Sequence, residues 1–259
     1  MSTETLELDY ALALDHGQRP YQEDAVLADF NAENGLGIAV LADGMGGHAA
    51  GDVASRMVVT TVFERLKSEG ADPARLLRQI GPTLKEAADR ANADIGARGK
   101  SDRSKAGMGA TLLATVFHRD RLFWLSVGDS PLYLFRDGRL TQLNEDHSMA
   151  RQLDNLAKLG QMSAEEAKSH PDRYVLTSAL TGRKIPLTDC PEEPRQIAPG
   201  DIVILASDGL QYLPDQRIQE VLAANSQASA PAICRALMEA VDALDHPHQD
   251  NISIVVVRP

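Results

Sequence analysis

The sequence has only two cysteines, Cys190 and Cys234, and they match no metal-ligand spacing. This excludes a disulfide framework and a cysteine-built zinc site, and it fits a reducing compartment. Positive charge is also short: 26 Lys and Arg stand against 37 Asp and Glu, a formal net charge of −11. An average field of that sign repels DNA and acidic membranes, so neither nucleic acid nor membrane is an expected partner. No apolar run approaches the roughly 20 residues that span a bilayer. The N-terminus, Met1 to Glu7, is acidic and lacks an apolar stretch, so it does not read as a signal peptide. No linker rich in Gly, Ser or Pro divides the 259 residues, and no internal repeat is visible. The expectation is one cytoplasmic domain over residues 1–259, monomeric because no assembly motif is present.

What is present is apolar sequence in short, patterned runs. Leu8, Tyr10, Leu12 and Leu14 alternate as in a half-buried strand, and Ile38 to Ala42 is a continuous run of the buried type. Ala54, Val58, Val62 and Leu66 recur every four residues on one helix face. Asp72-Pro73 opens a second helix with the stripe Leu77, Ile80, Leu84, Ala88, Ala91 and Ile95, kinked at Gly81-Pro82. Strand patterns return over 110–117, 122–127, 132–135 and 140–143, with Asp137-Gly138 as a hairpin turn. Residues 146–176 interrupt them with polar helical sequence, including a Ser163–Glu166 capping box. Strands at 202–206 and 252–257 bracket helices near 216–224 and 232–244. This order predicts an α+β fold, a four-layer αββα sandwich of two antiparallel sheets flanked by helix pairs. The segment at about 146–176 is a helical excursion from it.

Aspartates fall at the ends of four apolar strands. Ile38 to Ala42 runs into Asp43-Gly44, Phe123 to Gly128 into Asp129-Ser130, and Ile202 to Ser207 into Asp208-Gly209. Asp250-Asn251 opens directly onto Ile252 to Val257. Taken singly, each is a common turn dipeptide. Asp43, however, is followed by more glycine than a hairpin requires, Asp208 by helical sequence, and the other two by no two-residue loop. Converging carboxylates repel one another unless cations lie between them, and an all-oxygen set suits Mg²⁺ or Mn²⁺ rather than zinc. A glycine beside Asp43 lets a backbone carbonyl join the ligands. Two such ions form a known device for hydrolysing phosphate esters through activated water. Arg19, with Glu23 and Asp24 four and five positions later, adds a planar fork that matches phosphate oxygens.

Six segments together resemble the metal-dependent serine/threonine protein phosphatases of type 2C, bacterial subtype. They are Arg19-x-x-x-Glu23-Asp24, Ala42-Asp43-Gly44-Met45-Gly46-Gly47, Gly107 to Thr111, Val127-Gly128-Asp129-Ser130, Ala206-Ser207-Asp208-Gly209 and Asp250-Asn251. Each is moderately specific, and their order along nearly the whole chain is very specific. The resemblance implies a hydrolase acting on phosphoserine and phosphothreonine in proteins through water activated by Mn²⁺ or Mg²⁺, without a phosphoenzyme. It implies that Asp43 bridges two ions, with the Gly44 carbonyl on one and Asp208 and Asp250 on the other. Asp129 would hold a third, shared with Asp208. Glu23 and Asp24 would order waters behind the ligands, and Arg19 would bind the substrate phosphate. Residues 146–176 fall where the family carries its flap, and a cognate bacterial Ser/Thr kinase is the implied partner.

Two positions depart from the family pattern. Met45 stands where eukaryotic relatives place a histidine able to protonate the leaving alkoxide, and Pro131 stands where relatives usually carry arginine. His48 reads as a helix cap or packing residue, His147 as a solvated loop residue, and Trp124 and Cys234 as core. A phosphoprotein-binding module without chemistry would have lost a core acid, whereas Asp43, Asp208 and Asp250 are all present. A nucleotide or phosphodiester hydrolase would show a base pocket or basic channel, and the sequence shows neither.

Overall fold

A computed structural model describes residues 8–31, 33–46 and 50–259. From its N-terminal end the chain runs through β1 (Asp9–Asp15), β2 (Asp24–Asn31) and β3 (Leu36–Met45), then α1 (Ala50–Glu69), α2 (Pro73–Arg78) and α3 (Ile80–Ser101). Strands resume with β4 (Gly109–Ala110), β5 (Leu112–His118), β6 (Arg121–Val127), β7 (Leu132–Arg136) and β8 (Arg139–Gln142). The short helices α4 (Met149–Lys158) and α5 (Ala164–Ser169) follow, then β9 (Arg195–Gln196) and β10 (Ile202–Ala206). The chain closes with α6 (Asp215–Ala224), α7 (Ala230–Asp242) and β11 (Ile252–Arg258).

The strands form two antiparallel sheets, ordered β1-β11-β10-β7-β8 and β2-β3-β5-β6-β9, with β4 extending the second from β3. Three apolar layers hold them. Leu41, Leu113, Phe117, Trp124, Leu205 and Val255 fill the space between the sheets. Val58, Val62, Leu66, Leu84 and Ala91 press α1 and α3 onto the second sheet. Ile218, Leu222, Ile233 and Leu237 press α6 and α7 onto the first. The result is the expected αββα sandwich. It follows from periodicity: Ala54, Val58, Val62 and Leu66 of α1 are all fully buried because a four-residue spacing keeps them on one face.

Several local expectations hold for the reasons that suggested them. Asp137 and Gly138 both adopt positive φ, 52° and 76°, as a two-residue hairpin with matching twist requires. Ser163 and Glu166 make both bonds of a capping box, at 3.1 and 2.7 Å. Trp124 is core and donates its indole N–H to Asp189 at 2.9 Å. Cys234 is also core, and burial pushes its thiol up to about 11.

Two local expectations need correction, and one strand had none. The helix opened by Asp72 does not kink at Gly81-Pro82 but ends at Arg78, and a new helix starts at Ile80. Pro82 then lies in the first turn of α3, where its missing N–H would have had no intrahelical partner anyway. In β1 the larger apolar side chains are the exposed ones: Leu12 keeps 43% of its surface, while Ala11 and Ala13 pack toward α6 and α7. The strand is at the edge of its sheet, so its Leu face overhangs the margin of the core. Strand β2 carried no clear periodic signal and went unrecognised in the sequence. Leu41→Ala in the layer between the sheets should destabilise by about 2–5 kcal/mol. Leu12→Thr on the margin should cost under about 1 kcal/mol, a contrast that urea unfolding of the two variants will measure.

Candidate active site

All the carboxylates singled out in the sequence lie at one end of the sandwich. The second sheet brings Asp24 at the start of β2, Asp43 near the end of β3 and Asp129 just after β6. The first brings Asp208 just after β10 and Asp250 just before β11. The antiparallel pairing makes this unavoidable, since Asp24 is the register partner of Asp43 and the end of β6 pairs with the start of β5. A cleft of about 310 Å³ opens there, lined by Arg19, Glu23, Asp43, Gly44, Met45, Gly46, Thr111, Asp129, Tyr174, Leu176, Asp208, Asp250 and Asn251. A larger polar groove of about 710 Å³, beside α4, shares Asp129 and Tyr174 with it.

Backbone bonds pin the acids. The Asp43 N–H donates to Thr111 Oγ1 at 2.8 Å, the Thr111 N–H donates to the Asp43 carbonyl at 2.8 Å, and the Thr111 hydroxyl lies 2.9 Å from that of Ser130. Gly44 must be glycine: a Cβ there would sit 2.1 Å from the Gly51 carbonyl oxygen in the first turn of α1. Asn251 locks the Arg19 loop to the last strand. Its Oδ1 accepts the Glu23 N–H at 2.7 Å, while its amide donates to the carbonyls of His16 and Tyr21 at 3.0 and 2.9 Å. Arg19 itself is half-exposed and pairs with Asp250 at 2.5 Å. Asp24 lies outside the cleft lining, buried, accepting the Ser207 hydroxyl at 2.6 Å.

The electrostatics are those of a site under self-repulsion. Burial first, then the Asp24, Asp208, Asp129 and Asp250 charges, push Asp43 well above the ordinary carboxylate range. Burial and Asp208 raise Asp129 to about 8. Burial raises Asp24 to about 7, against the opposing hydrogen bond from Ser207. Asp208 rises to about 6 through burial and Asp250, relieved in part by a hydrogen bond with Asp43. Burial also raises Glu23.

The model of the protein phosphatase 2C family matches residues 17–250 of this chain. The chain belongs to that family. It is 37% identical over 260 residues to the serine/threonine protein phosphatase PstP of Mycobacterium tuberculosis, an alignment covering 99% of this chain and 46% of PstP. It thus spans about half the length of that relative. A crystal structure of the Mycobacterium tuberculosis phosphatase PstP/Ppp superposes with a TM-score of 0.80 at 33% identity, covering 97% of this chain and 98% of that one. A PstP catalytic domain in complex with two manganese ions gives 0.75 at 32% identity, covering 97% of each.

Does this family member offer what a divalent ion needs? Among the described residues, no group of three or more His, Cys, Asp or Glu side chains is disposed to hold an ion as it stands. Their mutual repulsion is answered in part by Arg19 on Asp250. The donor set nevertheless fits a hard cation: carboxylates beside the Gly44 backbone, with Glu23 Oε1 buried and without a hydrogen-bond partner. Met45 lines the cleft beside Gly44 and Gly46, and His48 lies outside the described residues. Pro131 is buried, and its carbonyl accepts the Ala206 N–H at 3.1 Å. Thr111, Ser207 and Asn251 were not given roles from the sequence, because a hydroxyl or amide beside a motif acid carries no signal of where it bonds. Tyr174 had no signal at all. His147, expected to be solvated, is 2% exposed, and burial holds its imidazole below the ordinary range.

The raised carboxylates make metal-free stability fall with pH. Asp24, Asp129 and Asp208 bind protons more tightly folded than unfolded, so their contribution is full below about pH 4 and is lost as pH rises through about 6 to 8. In chelator, the melting temperature should be lower at pH 8.5 than at pH 6.5 by at least about 2 °C. Asp129→Asn should flatten that slope, and Mn²⁺ or Mg²⁺ should restore stability at pH 8.5. Differential scanning calorimetry at the two pH values checks all three.

Proposed function

We propose that this chain removes phosphate from phosphoserine and phosphothreonine in proteins, in a reaction that requires Mn²⁺ or Mg²⁺. The observation that carries the reading is the convergence of Asp43, Asp129, Asp208 and Asp250 from four strand ends upon one cleft that also receives Arg19. Membership of the protein phosphatase 2C family supports it, as does the manganese bound by the PstP catalytic domain. Residues 1–259, with the flap at about 146–176 included, are taken as one catalytic domain.

In this reading Asp43, Asp208, Asp250 and the Gly44 carbonyl would hold two ions, and Asp129 with Asp208 would hold a third. When bound, such ions polarise phosphate oxygens and lower the pKa of water to near neutrality. The protein's own residues do the rest. Burial strengthens every charge interaction at the cleft. Glu23, with an unbonded carboxylate oxygen, orients water at its floor, and Asp24, its carboxylate held by the Ser207 hydroxyl, does so from behind. Arg19 binds the substrate phosphate with the guanidinium that now rests on Asp250. The attacking group in this reading is water, so no phosphoenzyme forms, and the Thr111 hydroxyl serves instead to hold the Asp43 N–H and Ser130. Met45 carries no exchangeable proton, so protonation of the leaving alkoxide falls to another group or to solvent.

The partners are phosphorylated proteins, in keeping with the serine/threonine phosphatase names of bacterial relatives, and a cognate serine/threonine kinase, because a phosphate ester that is removed must first have been made. No helix among the described residues is long and apolar enough to cross a membrane, and we place the chain in the cytoplasm.

Hydrolysis of a phosphothreonine peptide with Mn²⁺, with Mg²⁺ and with excess chelator tests the proposal. Turnover should appear with metal and vanish with chelator; a folded, metal-binding protein that hydrolyses neither peptide nor small ester would instead be a binding module. Asp43→Asn should cut turnover by more than about 100-fold, beyond the usual effect of groups behind a metal's ligands, while circular dichroism stays native. Arg19→Ala should chiefly raise KM at little cost in kcat, because it binds ground and transition states alike. An unchanged KM removes Arg19 from the phosphate.

A further inference from the structure

We propose that His147 is a positioning residue that ties the flap to the Asp129 corner of the site. It rests on the active-site reading given above but on separate observations. Gly128, the residue before Asp129, has just left the ladder of β6 and stands at φ +110°, where a Cβ would meet the Thr111 side chain at 2.6 Å. Its backbone groups have lost their strand partners at a buried corner, and His147 takes up both. The Gly128 N–H donates to His147 Nδ1 at 3.2 Å, and the His147 N–H donates to the Gly128 carbonyl at 3.0 Å.

The same residue closes the flap. The His147 carbonyl accepts the Thr177 N–H at 2.7 Å and the Ser178 N–H at 3.4 Å, on the strand of chain that returns from α5. One step further out, the Met149 N–H donates to the Val175 carbonyl at 2.9 Å, and Ser148 bridges to Leu176. Tyr174 and Leu176, on that returning segment, line the cleft together with Asp129. His147 therefore bonds at once to the neighbour of Asp129 and to the stem that carries two cleft-lining flap residues. Displacement of the stem pulls on Gly128, and loosening of the Gly128 corner releases the stem.

The imidazole is needed at one atom. A buried N–H deprived of its acceptor is costly, so Gly128 will reorient if Nδ1 is removed. Asparagine places Oδ1 near the position of Nδ1 and still accepts, whereas leucine fills space without accepting. The test compares His147→Asn and His147→Leu by amide hydrogen exchange in chelator, read over residues 126–131 and 174–180, and by turnover of a phosphothreonine peptide with Mn²⁺. The leucine variant should exchange faster in both segments and lose about ten-fold or more in kcat/KM, with the asparagine variant near wild type in both. If the leucine variant does not fold, His147→Phe replaces it, with the same expectation. Indistinguishable leucine and asparagine variants overturn the proposal, as does faster exchange at 126–131 that leaves 174–180 unchanged. Because exchange is read without metal or substrate, it stands or falls independently of the phosphatase assignment, which the wild-type turnover assay decides.

Discussion

Repulsion among buried carboxylates governs the architecture of one whole end of this molecule. Asp43 lies among Asp24, Asp129, Asp208 and Asp250, each of which raises its proton affinity, and burial raises it further. Such a cluster costs stability wherever it is left charged and unpaired. The structure offers partial answers: a guanidinium on Asp250 and the Ser207 hydroxyl on Asp24. Neither of them supplies divalent charge at the centre, where a hard cation would relieve the repulsion most. That a protein phosphatase 2C member should keep this arrangement fits a site in which charge repulsion and cation binding are two aspects of one design.

Holding five like charges together requires a stiff frame, and the frame is the sandwich itself. Two sheets contribute acids from strands that end at a common edge, so their separation is set by the apolar layer of Leu41, Leu113, Leu205 and Val255 between them. Neutral polar residues finish the positioning: Thr111 on both backbone groups of Asp43, Asn251 between the Arg19 loop and the last strand, and Ser207 behind Asp24. Thr111 and Asn251 bond to backbone rather than to the acids, and Asp43, Asp129, Asp208 and Asp250 line the cleft.

The flap is built differently. Its helices α4 and α5 are short and lie outside the three main apolar layers, and their own stabilisation is local, through the Ser163 capping box and the Arg173–Asp154 ion pair at 2.7 Å. Local bonds of this sort hold a segment's internal shape without fixing where it sits. At its stem a few backbone bonds converge on His147 and join it to Gly128. Tyr174, largely exposed, stands where the flap meets the cleft.

Much of this was legible in the sequence, because the signals are short-range. Four-residue recurrence placed α1, continuous apolar runs placed β3, β10 and β11, and Asp137-Gly138 placed a hairpin, since each depends only on backbone period and local sterics. Asp43, Asp129, Asp208 and Asp250 were legible as a set because polar residues that abruptly end buried strands need a reason to be there. The exposed Leu12 face, the break at Gln79, the burial of His147 and the bonding of Thr111, Asn251 and Ser207 were not. Those depend on which strand lies at a sheet edge and which loops meet across it, that is, on contacts between residues as far apart as Glu23 and Asn251. Local sequence sets the period and the termini of each element. Only the packed sheets decide which termini share one buried space, because burial and mutual repulsion exist only once distant strands have come together.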